Sequence, residues 1–335
     1  MSQRRAVTMK DVAEQVGVST MTVSAVLGGK SLHVRVSEAT RQRVQEAARQ
    51  MGYCPNALAR SLRRKCTNII GFYTGHGYLN ARLPFQSEII GGIQERCDQF
   101  HKDLLLHGVF RGYSVEDIYA EMMNGHIDGL IVHAPPDDPL VDLLAASHLP
   151  VVAIADAIPQ LPSILVDDEA GGRIAAEYLA GRGHRRILYR NIDRPLVSAV
   201  RRHDAFCAAA ARLGLQVREW RGENDTTLPE DTLWTWLDAP PEQRPTAAFC
   251  WNDMAAYDLL AHCRQRGVRV PDDLAVLSFD GLPTPFGTVY QLTSIRAPWV
   301  EVARTAVSLL VAQINGETVA NETVLPVEFV SGDTA

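Results

Sequence analysis

Hydrophobic positions in the first fifty residues recur at helical spacing in short blocks, and the polar positions between them carry cap and turn residues. Thr8 precedes a block in which Val12 and Val16 lie at i, i+4, with Asp11 placed as the reciprocal acid of a capping box. Gly17 supplies a tight turn, Ser19 is an N-cap, and Val23, Val26 and Leu27 give a second helix its apolar stripe. Two short helices across a tight turn form the outline of a helix-turn-helix. Thr20, Met21, Ser24 and Ala25 are left facing outward, where a DNA-reading helix presents its N-terminal residues to the groove. An ordinary helical hairpin shares this spacing. After a loop over residues 28–33, a third helix is expected, capped by Ser37 and carrying Val44, Ala47, Ala48 and Met51 on one face. Three such helices can bury a common core, with Arg35, Arg41 and Arg43 expected near phosphates.

Pro55 then suits the first turn of a helix of barely two turns over residues 56–64. A helix this short is marginal in water, so it is expected to order only against DNA and a second copy of itself. Leu62, apolar among basic residues, has the character of a wedge pushed between base steps, flanked by Arg60 and Arg63. A solvated linker with one stray leucine is the alternative. From Thr67 the pattern changes to short β-rich runs alternating with amphipathic helices. Strands are predicted over 69–72, 103–106, 129–133 and 151–154, and again over 186–189, 247–250 and 274–279. Helices are predicted over 87–100, 201–213 and 254–266. Such alternation predicts parallel sheets flanked by helices, in two successive α/β halves. The expected organisation is an all-α headpiece over 1–66, with a hinge helix at about 54–65, and an α/β body over 67–335.

Charge sharpens this division. Residues 1–66 hold twelve Lys/Arg against four Asp/Glu, whereas the remaining residues hold 21 against 35, within a net charge of −6. A basic head on an acidic body is the footprint of a protein whose head alone meets a polyanion. Six cysteines are scattered without a C-x-x-C pair or a nearby histidine cluster, so no metal, disulfide or cofactor is expected. No stretch has the apolar length of a membrane span and the N-terminus has no apolar signal core, so a cytoplasmic location and no membrane partner are expected.

Ligands of open parallel sheets bind beyond the carboxyl ends of the strands. Asn252 and Asp253 follow one predicted strand, Asp280 ends another, and Arg202, with Ser198 near it, opens a helix. An Asp accepts from two vicinal hydroxyls, an Arg donates a fork and an Asn does both, a set suited to a polyhydroxylated ligand. Asp253 is expected to be a helix N-cap rather than a ligand contact. Trp251 and Trp299 fit either a cleft wall or plain packing.

Many ordered motifs make the chain resemble the lactose-repressor (LacI/GalR) family of transcription regulators over nearly its whole length. They include Lys10-Asp-Val-Ala, Val18-Ser-Thr-Met-Thr-Val-Ser24, Gly52-Tyr-Cys-Pro-Asn56, Ala59-Arg-Ser-Leu62, Ile127-Asp-Gly-Leu130 and Gly183-His-Arg-Arg-Ile187. Asn252-Asp253, Val270-Pro-Asp-Asp-Leu274 and Ser278-Phe-Asp280 follow. The resemblance implies a helix-turn-helix headpiece and a two-lobed, periplasmic-binding-protein-like effector domain, with lobe crossings near 162–165, 294–297 and 322–325. It implies a homodimer on double-stranded operator DNA, with Asn56, Ala59, Arg60, Leu62 and Arg63 of the hinge meeting the DNA. Effector contacts are implied at Arg202, Asn252 and Asp280, at Phe85 and Gln86 of the first lobe, and further at Asp156, Asp167 and Asp168. Leu196 stands where several members carry an Arg, and Asp168 where many carry Asn, which favours a sugar or sugar derivative over a purine or an anion. No leucine heptads follow the last predicted strand, so a dimer rather than a tetramer is expected.

The function expected is therefore a repressor whose operator binding is controlled by a small ligand, in all expectation a carbohydrate. The competing class is a sugar-acting enzyme fused to a DNA-binding head. Against it, the chain lacks H-E-x-x-H, G-x-S-x-G and a Walker lysine loop, and Gly75-His-Gly77 lacks the third glycine of a dinucleotide loop. A transport binding protein conflicts with the basic head.

Overall fold

The computed structural model describes residues 7–27, 35–55, 61, 66–76, 79–108, 112–192, 196–222, 230–283 and 290–335. Two units are distinguished, Met1–Asn68 and Ile69–Ala335. In the first, α1 (Met9–Val16), α2 (Thr20–Leu27) and α3 (Glu38–Gln50) begin at the expected caps. Thr8 and Asp11 form the full capping box: Asp11 N–H donates to Thr8 Oγ1 at 3.3 Å and Thr8 N–H donates to the Asp11 carboxylate at 2.7 Å. Ser19 Oγ accepts from Thr22 N–H at 3.1 Å, and Ser37 Oγ from Thr40 N–H at 3.2 Å. Gly17 ends α1 at φ +72°, the left-handed conformation that a side chain resists, and turns the chain into α2. Val12, Val16, Val23, Val26, Val44, Ala47 and Ala48 close one small core. Arg43, exposed on α3, donates from Nη2 to the Val16 carbonyl at 2.6 Å and so satisfies the open C-terminal end of α1. The loop expected over 28–33, Gly77, and the hinge positions Asn56, Ala59, Arg60, Leu62 and Arg63 lie outside the described residues.

The second unit alternates strand and helix. Its first half runs β1 (Ile69–Thr74), α4 (Pro84–Gln99), β2 (Asp103–Leu106), α5 (Val115–Met122), β3 (Gly129–His133), α6 (Pro139–Ala145), β4 (Val151–Ile154) and β5 (Ser163–Val166). The next half runs α7 (Asp168–Gly181), β6 (Arg186–Ile192), α8 (Val197–Arg212), β7 (Gln216–Gly222), α9 (Glu230–Leu237), β8 (Ala247–Cys250), α10 (Asp253–Arg266), β9 (Ala275–Asp280) and β10 (Thr293–Arg296). Then α11 (Trp299–Ile314), β11 (Glu322–Leu325) and β12 (Glu328–Val330) close it. One six-stranded sheet has the order β11-β5-β4-β3-β1-β2, all parallel. The other has the order β12-β10-β9-β8-β6-β7, parallel except for β12, which runs antiparallel to β10. The central strands β3, β4, β8 and β9 are buried almost end to end, as expected where helices cover both faces of a parallel sheet, whereas the edge strands β2, β11 and β12 are largely exposed.

Each lobe is thus completed by chain that returns from the other. The expected crossing positions prove to be the strands β5, β10 and β11 themselves, and the chain changes lobe just after each of them. Helix α11 packs on α4 and on the first sheet, and α7 lies along α8 in the second lobe. A Cβ at Gly172 would collide with the Arg202 carbonyl, so glycine there lets α7 and α8 approach closely and sets Arg202 against the start of α7. Among the described residues no helix is long and apolar enough to cross a membrane.

Candidate functional site

Two surfaces carry the predicted chemistry. On the headpiece, Thr20 and Met21 open α2 fully exposed, Met21 at 68%, while Ser24 and Ala25 are half-buried one turn on. Arg35 is exposed ahead of α3. None of the four α2 residues is the Arg, Asn or Gln that makes a bidentate base contact; hydroxyls and a thioether suit thymine methyls and water-bridged contacts.

In the body, the carboxyl ends of both sheets converge on one cleft. Asp156, just past β4 and 1% exposed, accepts from Ser198 N–H at 2.9 Å through Oδ1, which joins the first lobe to the start of α8. Its Oδ2 is buried without a hydrogen-bond partner. Arg202, 3% exposed, donates to Asp168 Oδ1 at 2.7 Å and to the Trp251 carbonyl, and its guanidinium stacks on the Phe279 ring. Trp299 donates from Nε1 to Asp280 Oδ1 at 3.2 Å and meets Phe85 edge-on, with ring centroids 4.8 Å apart. Phe85 in turn lies 5.3 Å from the His133 ring. Trp299 is therefore buried in the core beside Asp280 and serves it as a hydrogen-bond donor. Trp251 is half-buried, with its side chain packed on the second lobe's core.

Carboxyls outnumber cations here, and burial raises three of them. Burial lifts Asp168 to about 6 against the opposing pull of Arg202. Burial likewise lifts Asp253 to about 6, although it accepts from Ser278 Oγ at 2.5 Å, Ser294 Oγ at 3.0 Å and Leu282 N–H at 2.7 Å. Asp280 is raised well above the usual carboxylate range by burial first and by the nearby Asp253 second. Asp280 also holds φ at +112°, a conformation that L residues rarely adopt and that costs on the order of 1–3 kcal/mol. This strained residue ends a central strand, with its carboxyl held by Trp299.

Some expected contacts are engaged otherwise. Asn252, not Asp253, is the N-cap of α10: its Oδ1 accepts from Ala255 N–H at 2.8 Å, while Asp253 is 2% exposed in the serine network described above. Asp167 caps α7 through Ala170 N–H at 2.8 Å. Gln86 accepts from Asn80 N–H and so holds the loop ahead of α4. Thus Asp156 meets Ser198, Phe85 reaches Asp280 through Trp299, and Arg202 lies close enough to Asp280 to act on it; Gln86, Asp167 and Asn252 are each engaged with a backbone N–H. Sequence reasoning overlooked His76 and His133. Their rings lie 4.4 Å apart, and with Asp156 they offer three ligand atoms within 4.8 Å of one another. Burial, reinforced by His76, pushes His133 down to about 3, so its ring is neutral. The signal available was position alone, since both histidines stand at the carboxyl ends of neighbouring predicted strands.

Comparison with known proteins places this geometry. The family of bacterial regulatory proteins of the lacI type matches residues 8–56, and a periplasmic binding protein-like domain matches residues 176–335. An HTH-type transcriptional repressor PurR from Mannheimia succiniciproducens is 31% identical over 325 residues, 95% of each chain. The repressor of the same name from Photobacterium profundum is 32% identical over 314 residues, 92% of each chain. Among solved structures, the lac repressor dimer bound to operator and the anti-inducer ONPF superposes with a TM-score of 0.84 at 27% identity, covering 98% of this chain and 99% of that one. A complex of the transcriptional regulator CelR with cellobiose superposes with a TM-score of 0.68 at 25% identity, covering 98% and 100%. With its capped helix-turn-helix and its two interlaced α/β lobes, the chain belongs to the lacI (LacI/GalR) family of bacterial transcription regulators.

Proposed function

We propose that the protein is a repressor that binds double-stranded operator DNA as a homodimer in the cytoplasm and is released or engaged by a sugar or sugar derivative in the interlobe cleft. The observation that carries the ligand class is the pairing of an aromatic wall, Phe85 on Trp299, with a rim of carboxyls and one guanidinium at the strand ends of both lobes. Aromatic rings cover the apolar face of a pyranose or furanose, and carboxylates accept from its vicinal hydroxyls. The lac repressor and CelR structures support the class, since ONPF, ONPG and cellobiose are named in their complexes. Crowded acids disfavour a strongly anionic effector. Ligand contacts made by both lobes bias their relative angle, and a differential affinity of this kind typically couples two sites by about 1–3 kcal/mol. At the DNA, Leu62 from each hinge is the proposed wedge, with Thr20, Met21, Ser24 and Ala25 in the major groove and Arg35, Asn56, Ala59, Arg60 and Arg63 alongside.

The test is a thermal-shift screen of neutral sugars, sugar acids and nucleosides on the full chain, followed by operator mobility shifts with each hit. A neutral sugar or sugar derivative is expected to raise the melting temperature and to change operator affinity. In Asp280→Ala the same compound is expected to lose at least about tenfold in affinity, because the carboxyl that would bond its hydroxyls is gone from a desolvated site. A nucleoside as the sole hit, or turnover of any hit, would overturn the reading.

A further inference from the structure

Three side chains able to ligate a metal meet in the first lobe. His76 follows β1, His133 ends β3 and Asp156 follows β4. Strand order brings them together: β3 lies between β4 and β1, and Thr74 is paired with His133 across the β1–β3 ladder, which puts His76 just past that rung. One ligand atom from each lies within 4.8 Å of the other two. Ligands of tetrahedral zinc stand about 2.0–2.2 Å from the ion and hence about 3.4 Å from one another. The set therefore closes on an ion with side-chain rotations of an ångström or so. Asp156 is 1% exposed and its Oδ2 has no hydrogen-bond partner, a costly state for a carboxylate oxygen unless something binds it. Its other oxygen accepts from Ser198 N–H, a bond of the kind that holds a ligating carboxylate in orientation.

We propose that His76, His133 and Asp156 form a three-ligand site for a divalent transition-metal ion of the zinc class, with the remaining coordination position open to the cleft. Two imidazoles and one carboxylate are borderline ligands that suit zinc better than magnesium or calcium, which take oxygen alone. The fourth position faces Phe85 and the interlobe space, where water or an effector oxygen completes the shell. Because Asp156 bonds the ion through one oxygen and the second lobe through the other, the ion would stiffen the lobe junction. The site stands whether or not the effector is a carbohydrate.

The experiment uses the full chain, stripped with chelator and titrated with zinc alone by calorimetry, then with cobalt(II) followed by visible absorption. The unmodified chain is expected to take up one equivalent per protomer, and to show cobalt d–d bands without the near-ultraviolet band that a thiolate ligand adds. That spectral distinction matters because the exposed Cys54 is a competing adventitious ligand. Asp156→Asn keeps the acceptor for Ser198 N–H and the shape of the side chain. It is expected to weaken zinc at least about 100-fold and to abolish the zinc-induced rise in melting temperature. His133→Gln is expected to do the same, and if it does not fold, the isosteric Asp156→Asn decides alone. Absence of an equivalent-binding step in the unmodified chain, unchanged affinity in Asp156→Asn, or a thiolate band would each overturn the site.

Discussion

Asp168 illustrates how a single buried carboxyl couples ligand chemistry to stability. Its pKa is lifted from 3.8 to about 6, so across that interval the folded chain holds a proton that the unfolded chain has released. Its contribution to stability is therefore fully present below the lower value and is lost as pH rises through the upper one. Asp168→Asn, neutral at every pH and still able to accept from Arg202, is expected to gain about 1 kcal/mol on the unmodified chain between about pH 5 and pH 7. Paired denaturant melts at those two pH values read the difference; a gap that does not move with pH would remove the buried-acid account. Comparing the two proteins is essential, because His133, whose pKa burial depresses, favours folding in the opposite direction as pH rises.

Helix ends are where sequence spoke most clearly. Thr8 with Asp11, Ser19 and Ser37 cap the helices they were expected to cap, because each cap is a local bond between a side chain and an amide two or three residues away. Gly17→Ala is expected to cost about 1–2 kcal/mol: the space beside it is open, but its φ of +72° is one that an L side chain resists. Operator affinity should fall in step with headpiece melting and equally on all DNA sequences; a selective loss on one operator would give Gly17 a reading role instead. Strands 129–133, 151–154 and 247–250 were also legible as buried apolar runs, and 103–106 as an apolar run that proves to be a largely exposed edge strand. Expectation was silent on β11 and β12, whose half-exposed Glu322–Leu325 and Glu328–Val330 alternate weakly and find their places only by pairing with remote strands. Within the cleft, Arg202, Asp280 and Ser198 were legible from their positions at strand and helix ends. The exchange of roles between Asn252 and Asp253 was not, because both are good caps and only the exit angle of β8 decides between them. His76 and His133 were invisible for a related reason: their meeting depends on sheet order, which spacing along the chain does not encode.

At the scale of the whole molecule, the basic head and acidic body should answer salt differently. Operator affinity is expected to fall about a thousandfold or more between about 50 mM and 200 mM salt, as phosphate counterions are released. Effector affinity of the body, measured under the same conditions, should change severalfold at most, because its charges are buried and poorly screened. Fluorescence anisotropy on labelled operator and calorimetry on the effector give the two slopes; parallel slopes would argue that the body also touches DNA. The interlacing of the lobes bears on how each new chain matures. Residues 322–330 provide an outer strand to both sheets, and Thr334 bonds Val276 O at 2.7 Å and accepts from Thr293 N–H at 2.9 Å. Nascent chains fold from the N-terminus as they leave the ribosome, and the headpiece core draws on early residues alone. The three-helix reading surface is thus finished well before the proposed effector cleft, and for that interval each newborn copy carries a headpiece without its regulator.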